Sequence, residues 1–311
     1  MEESKGVVYS RMMNEQSPIV LSWQVTRQCD GVTLKSFLRE QKYLSRKLLA
    51  EIKFQGGGLF VNGKEVTVKE TIYEDDHIEV TLPPEIISKK IMKTDLPLDV
   101  IYEDDHLLVV NKPSGLVTIP THDVNEPSLA GAVLQYYENN GWGATFHAVN
   151  RLDRDTTGVV IIAKHRYAHE MLAMQQRAGK LEREYIAVVH GLIPWQIGSI
   201  HALIARKPTS IIERVVSEKG QHAVTHFETI ASHHHYSIVK LRLETGRTHQ
   251  IRVHMAWLGY PLVGDTLYGS RSSEKRRTLL HSYKAVFYHP FTGEHHCFSA
   301  PLPPTYATLY K

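Results

Sequence analysis

Residues His147 to Lys164 constrain this chain more than any other stretch. A polar, charged segment, Asn150-Arg151-Leu152-Asp153-Arg154-Asp155-Thr156-Thr157-Gly158, passes directly into Val159-Val160-Ile161-Ile162-Ala163. That apolar, mostly β-branched run reads as a buried strand. The charged loop therefore opens at the mouth of a sheet, with Asp153 between Arg151 and Arg154. An acid held there is placed as a nucleophile or an anionic stabiliser, and neighbouring guanidinium groups favour its charged form. A structural Arg–Asp network in the loop explains the same residues, and from this segment alone both readings stand.

Other strand-like runs follow the same logic: Leu107–Val110, Tyr185–Val189, Ser237–Leu243 and Leu280–Phe287. Helical stretches fall between them at about Leu129–Glu138, Arg166–Ala178 and Thr248–Leu258. Many strands, few helices and long loops predict an α+β domain, residues 98–311, on a mixed, largely antiparallel sheet with flanking helices. Pro83-Pro84, Lys89-Lys90 and Pro97 mark residues 86–97 as a linker. Residues 1–18 read as a flexible tail without the apolar core of a secretory signal.

Between tail and linker lies a small α/β unit, residues 19–85. Thr33 and Ser45 each precede an amphipathic stretch and are placed to cap a helix. Leu59-Phe60-Val61, the Asn62-Gly63 turn and Glu65-Val66 read as a hairpin. Between Arg27 and Phe54 seven basic residues face three acidic ones. Arg39, Arg46 and Lys47 belong to this basic face, which suits an RNA contact or simply a solvated helix surface.

The formal net charge is only +3, so any nucleic-acid binding has to come from local patches. Two distant cysteines, Cys29 and Cys297, argue against a disulfide framework and a structural zinc site. No apolar run reaches the roughly 18 residues of a membrane helix. The expectation is a soluble, cytoplasmic monomer.

Two more segments are candidates for chemistry. In Gly246-Arg247-Thr248-His249-Gln250-Ile251-Arg252-Val253-His254 a glycine separates a strand from a helix. Arg247 then stands at the helix start, where its guanidinium can pair with a carboxylate or phosphate. His249 and His254 lie five apart, which does not fit the four-residue zinc spacing. Gly264 to Gly269 forms a compact turn, followed by Arg271, Lys275, Arg276 and Arg277, a phosphate contact or a solvated loop. His233-His234-His235 reads as a loop end rather than a ligand set.

Together these segments resemble the RluA-type family of pseudouridine synthases. Asn150 to Gly158 is similar to its catalytic loop, usually His-Arg-Leu-Asp-Arg-Asp-Thr-Ser-Gly. Arg183 to Gly191 resembles its tyrosine-bearing strand, and Arg247 to His254 its Gly-Arg-Thr-His-Gln-Ile-Arg motif. Val110 to Leu116, Gly264 to Gly269 and Ser299 to Pro303 match further family segments in the same order. The 19–85 unit resembles the S4-type RNA-binding domain that precedes many of these enzymes, an RluD-like arrangement. Asn150 stands where the family usually has His, and Thr157 where it has Ser.

The resemblance implies that Asp153 is the catalytic aspartate, that Tyr185 stacks on or acts beside the flipped uracil, and that Arg247 pairs with Asp153. It implies RNA contacts from Lys112, Arg151, Arg154, His249, Arg252, Arg39, Arg46 and Lys47. The expected partner is structured RNA, ribosomal RNA of the large subunit ahead of transfer RNA, and no cofactor or metal is needed. The alternative is a catalytically inactive RNA-binding or ribosome-assembly factor of the same fold.

Overall fold

The computed structural model describes residues 18–85, 91–120, 125–269 and 277–307. The expected tail up to Ser17, Lys89, Lys90, Arg271, Lys275 and Arg276 lie outside the described residues. The chain divides into two compact units, Met1–Ser88 with Leu134–Thr145 and Lys89–Val133 with Phe146–Lys311.

In the first unit, β1 (Val20–Gln24), β2 (Gly58–Val61), β3 (Lys64–Glu65) and β4 (His77–Thr81) form an antiparallel sheet ordered β1-β4-β2-β3. Thr33 Oγ1 accepts from the Ser36 amide and starts α1 (Leu34–Ser36), which widens into a π turn over Phe37–Gln41. Ser45 Oγ accepts from the Leu48 amide at 3.1 Å and starts α2 (Arg46–Phe54). Each cap satisfies a backbone N–H that the helix leaves without an internal partner. Leu34, Phe37, Leu38, Leu48 and Ile52 are buried, as the apolar spacing requires.

The second unit is built on a ten-stranded mixed sheet. Its chain order is β5 (Val100–Glu103), β6 (Leu107–Lys112), α3 (Leu129–Asn139), which begins here, then β7 (His147–Ala148) and β8 (Thr157–Ala163). There follow α4 (Arg166–Arg177), β9 (Glu182–His190), β10 (Ile197–His201), β11 (Ile204–Arg206) and β12 (Arg214–Val216). The unit ends with β13 (Val224–His233), β14 (Tyr236–Leu243), α5 (Gln250–Trp257), β15 (Leu280–Tyr288), β16 (His295–Ser299) and α6 (Pro304–Ala307). The sheet order is β10-β13-β14-β9-β15-β8-β6-β5, with β16 on β15 and β7 on β8. Among the described strands of this sheet, β8 and β15 pair in parallel and the other pairs are antiparallel. The small β11–β12 ribbon stands apart from it.

β8 lies between β15 and β6, and one of its edges forks. Thr157 and Gly158 pair with His281 and Ser282 of β15, while Ile162 and Ala163 pair with β7. The chain leaves the sheet between these two partners to form the loop that carries Asp153. A Cβ on Gly158 would lie 2.2 Å from the Ser282 carbonyl oxygen, and its φ is +107°. Glycine is what lets β15 approach there.

The helix expected from Thr248 begins two residues later. His249 adopts left-handed backbone, φ 57°, and only from Gln250 does the chain wind as a helix. His233 to His235 is the tip of the β13–β14 hairpin. Among the described residues no helix is long and apolar enough to cross a membrane, and no cluster of His, Cys, Asp and Glu is set to hold a metal.

Candidate active site

A cavity of about 720 Å³ opens in the second unit. The β7–β8 loop, β9, the turn before α5, and Arg214 of β12 line it. Asp153 and Tyr185 both face it, though they lie on separate elements. Tyr185 is 4% exposed, on the strand flanked by β14 and β15.

Among the described residues two charged or polar side chains contact the Asp153 carboxylate, both at Oδ2. Arg252 Nη1 donates to it at 2.9 Å, and His249 Nε2 lies 3.8 Å away. Among the described residues Oδ1 takes no protein donor, so it is the oxygen left for a ligand. Arg252 is itself clamped. Its Nε and Nη2 donate to Asp265 at 2.7 and 2.9 Å, and its guanidinium lies 5.1 Å from the Tyr268 ring centre. Asp265, fully buried, also accepts the Leu267 and Tyr268 amides. Burial works against the Arg252 charge, but the Asp265 and Asp153 carboxylates overrule it and hold the group protonated.

His249 Nδ1 lies 2.7 Å from the Tyr268 hydroxyl, which also accepts the Arg214 amide at 2.8 Å. With that hydroxyl donating to Nδ1, the ring proton sits on Nε2, toward Asp153. Burial lowers the His249 pKa, against the pull of Asp153.

Arg247 is not the partner of Asp153. Its Nε donates to the His222 carbonyl at 3.0 Å, and its side chain is exposed. The left-handed turn at His249 leaves Arg247 outside the helix, and the guanidinium that reaches Asp153 is that of Arg252, inside the helix.

Comparison with known proteins bears on this geometry. Residues 106–257 match the family described as RNA pseudouridylate synthase. A Bacillus subtilis (strain 168) protein called "Uncharacterized RNA pseudouridine synthase YjbO" is 46% identical over 280 residues, 90% of this chain and 99% of that one. The chain belongs to the RNA pseudouridylate synthase family. It is similar also to a "Ribosomal large subunit pseudouridine synthase D" of Pasteurella multocida (strain Pm70), 36% identical over 81% of this chain and 82% of that one. The human "RNA Pseudouridylate Synthase Domain Containing 1" shares the fold, with a TM-score of 0.57 and 24% identity over 70% of this chain and 87% of that one. The protein is thus an isomerase that makes pseudouridine in RNA.

Within the family's loop, Asn150 departs from the usual His, and its side chain has a structural task. Nδ2 donates to the Val159 carbonyl at 3.1 Å, and Oδ1 accepts the Ile161 amide at 2.8 Å. These are the backbone groups of β8 exposed where β7 and β15 diverge. The buried amide fills the missing ladder position and supplies a partner to both groups. Thr157, in place of the usual Ser, keeps the hydroxyl, which lies 2.7 Å from His281 Nδ1. His281 Nε2 is 3.1 Å from the Ala300 carbonyl, so Nε2 is the donor there and Nδ1 accepts from Thr157.

Lys112 is not available to RNA. It is fully buried, and Nζ donates to the carbonyls of Pro113, Leu116 and Arg154 at 2.8, 2.6 and 3.0 Å. Ser114 Oγ donates to the Asp155 carbonyl, and Thr118 both donates to and accepts from Leu152. The 112–118 segment is a cradle that fixes the Asp153 loop. Burial pushes the Lys112 ammonium down to about 8, partly opposed by Asp155 and Asp153.

Arg252, expected on RNA, is likewise consumed by its two carboxylates, and His249 belongs to the Asp153 centre. Arg151 is exposed at the cavity, and Arg154, also exposed, pairs with Glu126. In the first unit Arg46 and Lys47 are exposed, whereas Arg39 is half-buried and donates to the Leu44 carbonyl at 2.5 Å. Sequence reasoning missed Asp265, Thr118 and Tyr268 as site builders. The Gly264–Gly269 turn was visible, but nothing in the sequence says that its acid is buried.

Proposed function

We propose that this enzyme isomerises uridines in large-subunit ribosomal RNA, with Asp153 as the catalytic aspartate. What supports this is a single arrangement: a carboxylate anchored through Oδ2 on Arg252, its Oδ1 without a donor among the described residues, in the cavity that Tyr185 also lines. The similar proteins named for the ribosomal large subunit support the choice of RNA.

The reaction breaks the bond from the ribose C1′ to uracil N1 and joins C1′ to C5. A proton leaves C5 and N1 gains one, so the net change is an isomerisation. The base never departs for solvent, and no water has to be activated. Glycoside hydrolases use two carboxylates for those two tasks; here one suffices. Asp153 attacks C1′ or the ring, or stabilises a cationic sugar, and Arg252 holds it aimed. A uridine inside a stack has to be flipped out, at a few kcal/mol. Stacking on Tyr185 offsets part of that, at about 1–3 kcal/mol per base.

The 19–85 unit acts as an S4-type RNA anchor. Arg46 and Lys47 stand in the first turn of α2, where no acidic residue accompanies them. Cations there work against the helix dipole, and a phosphate between them and the helix N-terminus reverses that.

Pseudouridine maps of cellular RNA, with and without this gene, test the reading. One or more uridines of large-subunit ribosomal RNA lose their modification on deletion. A map altered only in transfer RNA would overturn the substrate assignment, and an unaltered map would favour an inactive assembly factor.

A further inference from the structure

The Asp153 centre uses one part of the cavity and leaves another arginine unexplained. Arg183 of β9 is 6% exposed, yet its Nε is buried without a hydrogen-bond partner among the described residues. The side chain lines the cavity together with Gln176 of α4 and Gly246. A Cβ placed on Gly246 would lie 3.5 and 3.7 Å from Arg183 Nη2 and Nη1 and 3.7 Å from Gln176 Nε2. Two side chains thus bring their nitrogen donors together beneath one residue that has no side chain.

A buried guanidinium is costly unless something compensates its charge. Donors without a matching acceptor among the described residues ask for an acceptor from outside the protein. Strand geometry says where that acceptor sits. Arg183 and Tyr185 are two residues apart on β9, on the same face, about 7 Å from one another along the strand. The donor group is therefore displaced from the base-stacking position by roughly the step to a neighbouring nucleotide's backbone.

We propose that Arg183 and Gln176 form an anion subsite that takes a backbone phosphate of the RNA strand next to the flipped uridine. The proposal rests on the reading that the Asp153 cavity holds the target uridine. Arg183 serves binding: it fixes how the strand lies across the cavity, and it does not touch the reacting bond. The absence of a side chain at Gly246 is what lets the phosphate reach the guanidinium.

The test uses the full-length enzyme and total RNA from cells lacking the gene, which contains the unmodified substrate whatever its identity. Pseudouridine formation is measured across a KCl series for the wild type, Arg183→Met, Arg183→Lys and Gly246→Val. Arg183→Met raises KM by about tenfold at moderate salt with kcat nearly kept, as loss of a charge-assisted contact requires. It also flattens the slope of log(kcat/KM) against log[KCl] by about 0.7, the share of one single-strand phosphate. Arg183→Lys restores the slope and part of KM. Gly246→Val leaves the arginine in place and covers it; the Gly246 backbone is not left-handed and a Cβ there meets nothing closer than 3.5 Å, and the expected result is the same flattened slope.

A normal salt slope in both Arg183→Met and Gly246→Val overturns the phosphate assignment. A lost kcat with an unchanged slope does so too, since it would place Arg183 on the uracil oxygens. Asp153→Asn, run beside them, separates the two claims. Full activity in that variant would remove the uridine-site reading, whatever the salt slopes show.

Discussion

Arg252 and Asp153 meet through one nitrogen and one oxygen, Nη1 to Oδ2 at 2.9 Å, because the rest of the guanidinium is already taken by Asp265. The pair is therefore directional. Asp265 fixes the plane of Arg252, and Arg252 fixes the carboxylate of Asp153 through Oδ2. Lysine offers a point charge and no fork. Arg252→Lys is expected to lower kcat about 10²-fold or more while leaving KM within a fewfold, the pattern of lost preorganisation. Steady-state kinetics on RNA from cells lacking the gene check this, and a variant near wild-type kcat would show that the clamp is dispensable.

Asp265→Asn attacks the same clamp from behind. It leaves the Arg252 charge buried with half its compensation. Breaking such a pair costs about 3–5 kcal/mol of stability, so chemical denaturation should report a loss of that order. An unchanged unfolding midpoint would mean that solvent reaches Arg252.

Asn150 makes a different kind of prediction. Removing its amide in Asn150→Ala leaves the Val159 carbonyl with one donor fewer and the Ile161 amide without its acceptor. An orphaned buried polar group costs about 1–3 kcal/mol. The expected outcome is a loss of stability in that range and a drop in kcat, with RNA affinity at saturation little changed. Lost RNA affinity at unchanged stability would instead put Asn150 on the RNA.

Lys112 carries a pH dependence whose sign can be worked out. Its folded pKa, about 8, lies below its ordinary 10.5. Between those values the unfolded chain holds the proton more often than the folded one. Stability from this group therefore rises from pH 8 to 10.5, and its penalty is fully present below pH 8. Activity moves the other way. Above about pH 8 the neutral amine keeps two donors for three carbonyls, and the Asp153 loop loosens. A kcat–pH profile with an alkaline fall near 8 that disappears in Lys112→Met supports this; an identical fall in both proteins contradicts it.

Much of the second unit was legible in the sequence because its central strands are unbroken apolar runs. Val159–Ala163 and Tyr185–Val189 are short apolar runs rich in β-branched residues, which read as buried strands. Among the strands that escaped notice, Ile197–His201 and Val224–His233 lie at or next to the sheet edge and mix polar residues into the pattern, and others, such as Ile204–Arg206 and Arg214–Val216, are only three residues long. Asp153 and Tyr185 stood out through the resemblance. The Arg247 pairing went wrong because one left-handed residue, His249, resets the helix that follows. Lys112 and Arg252 were placed on RNA because a cation in a sequence carries no sign of burial. Three carbonyls hold the first and two carboxylates the second, and both sets come from segments distant in the chain.

The central claim is that Asp153 carries the chemistry, and Asp153→Asn tests it most directly. The substitution keeps the size and a carbonyl oxygen for Arg252, so the fold should persist. The measurement is pseudouridine formed in RNA from cells lacking the gene, at enzyme in excess over RNA. The account predicts no product above background, with RNA binding nearly intact. Product formed at the wild-type rate would contradict it.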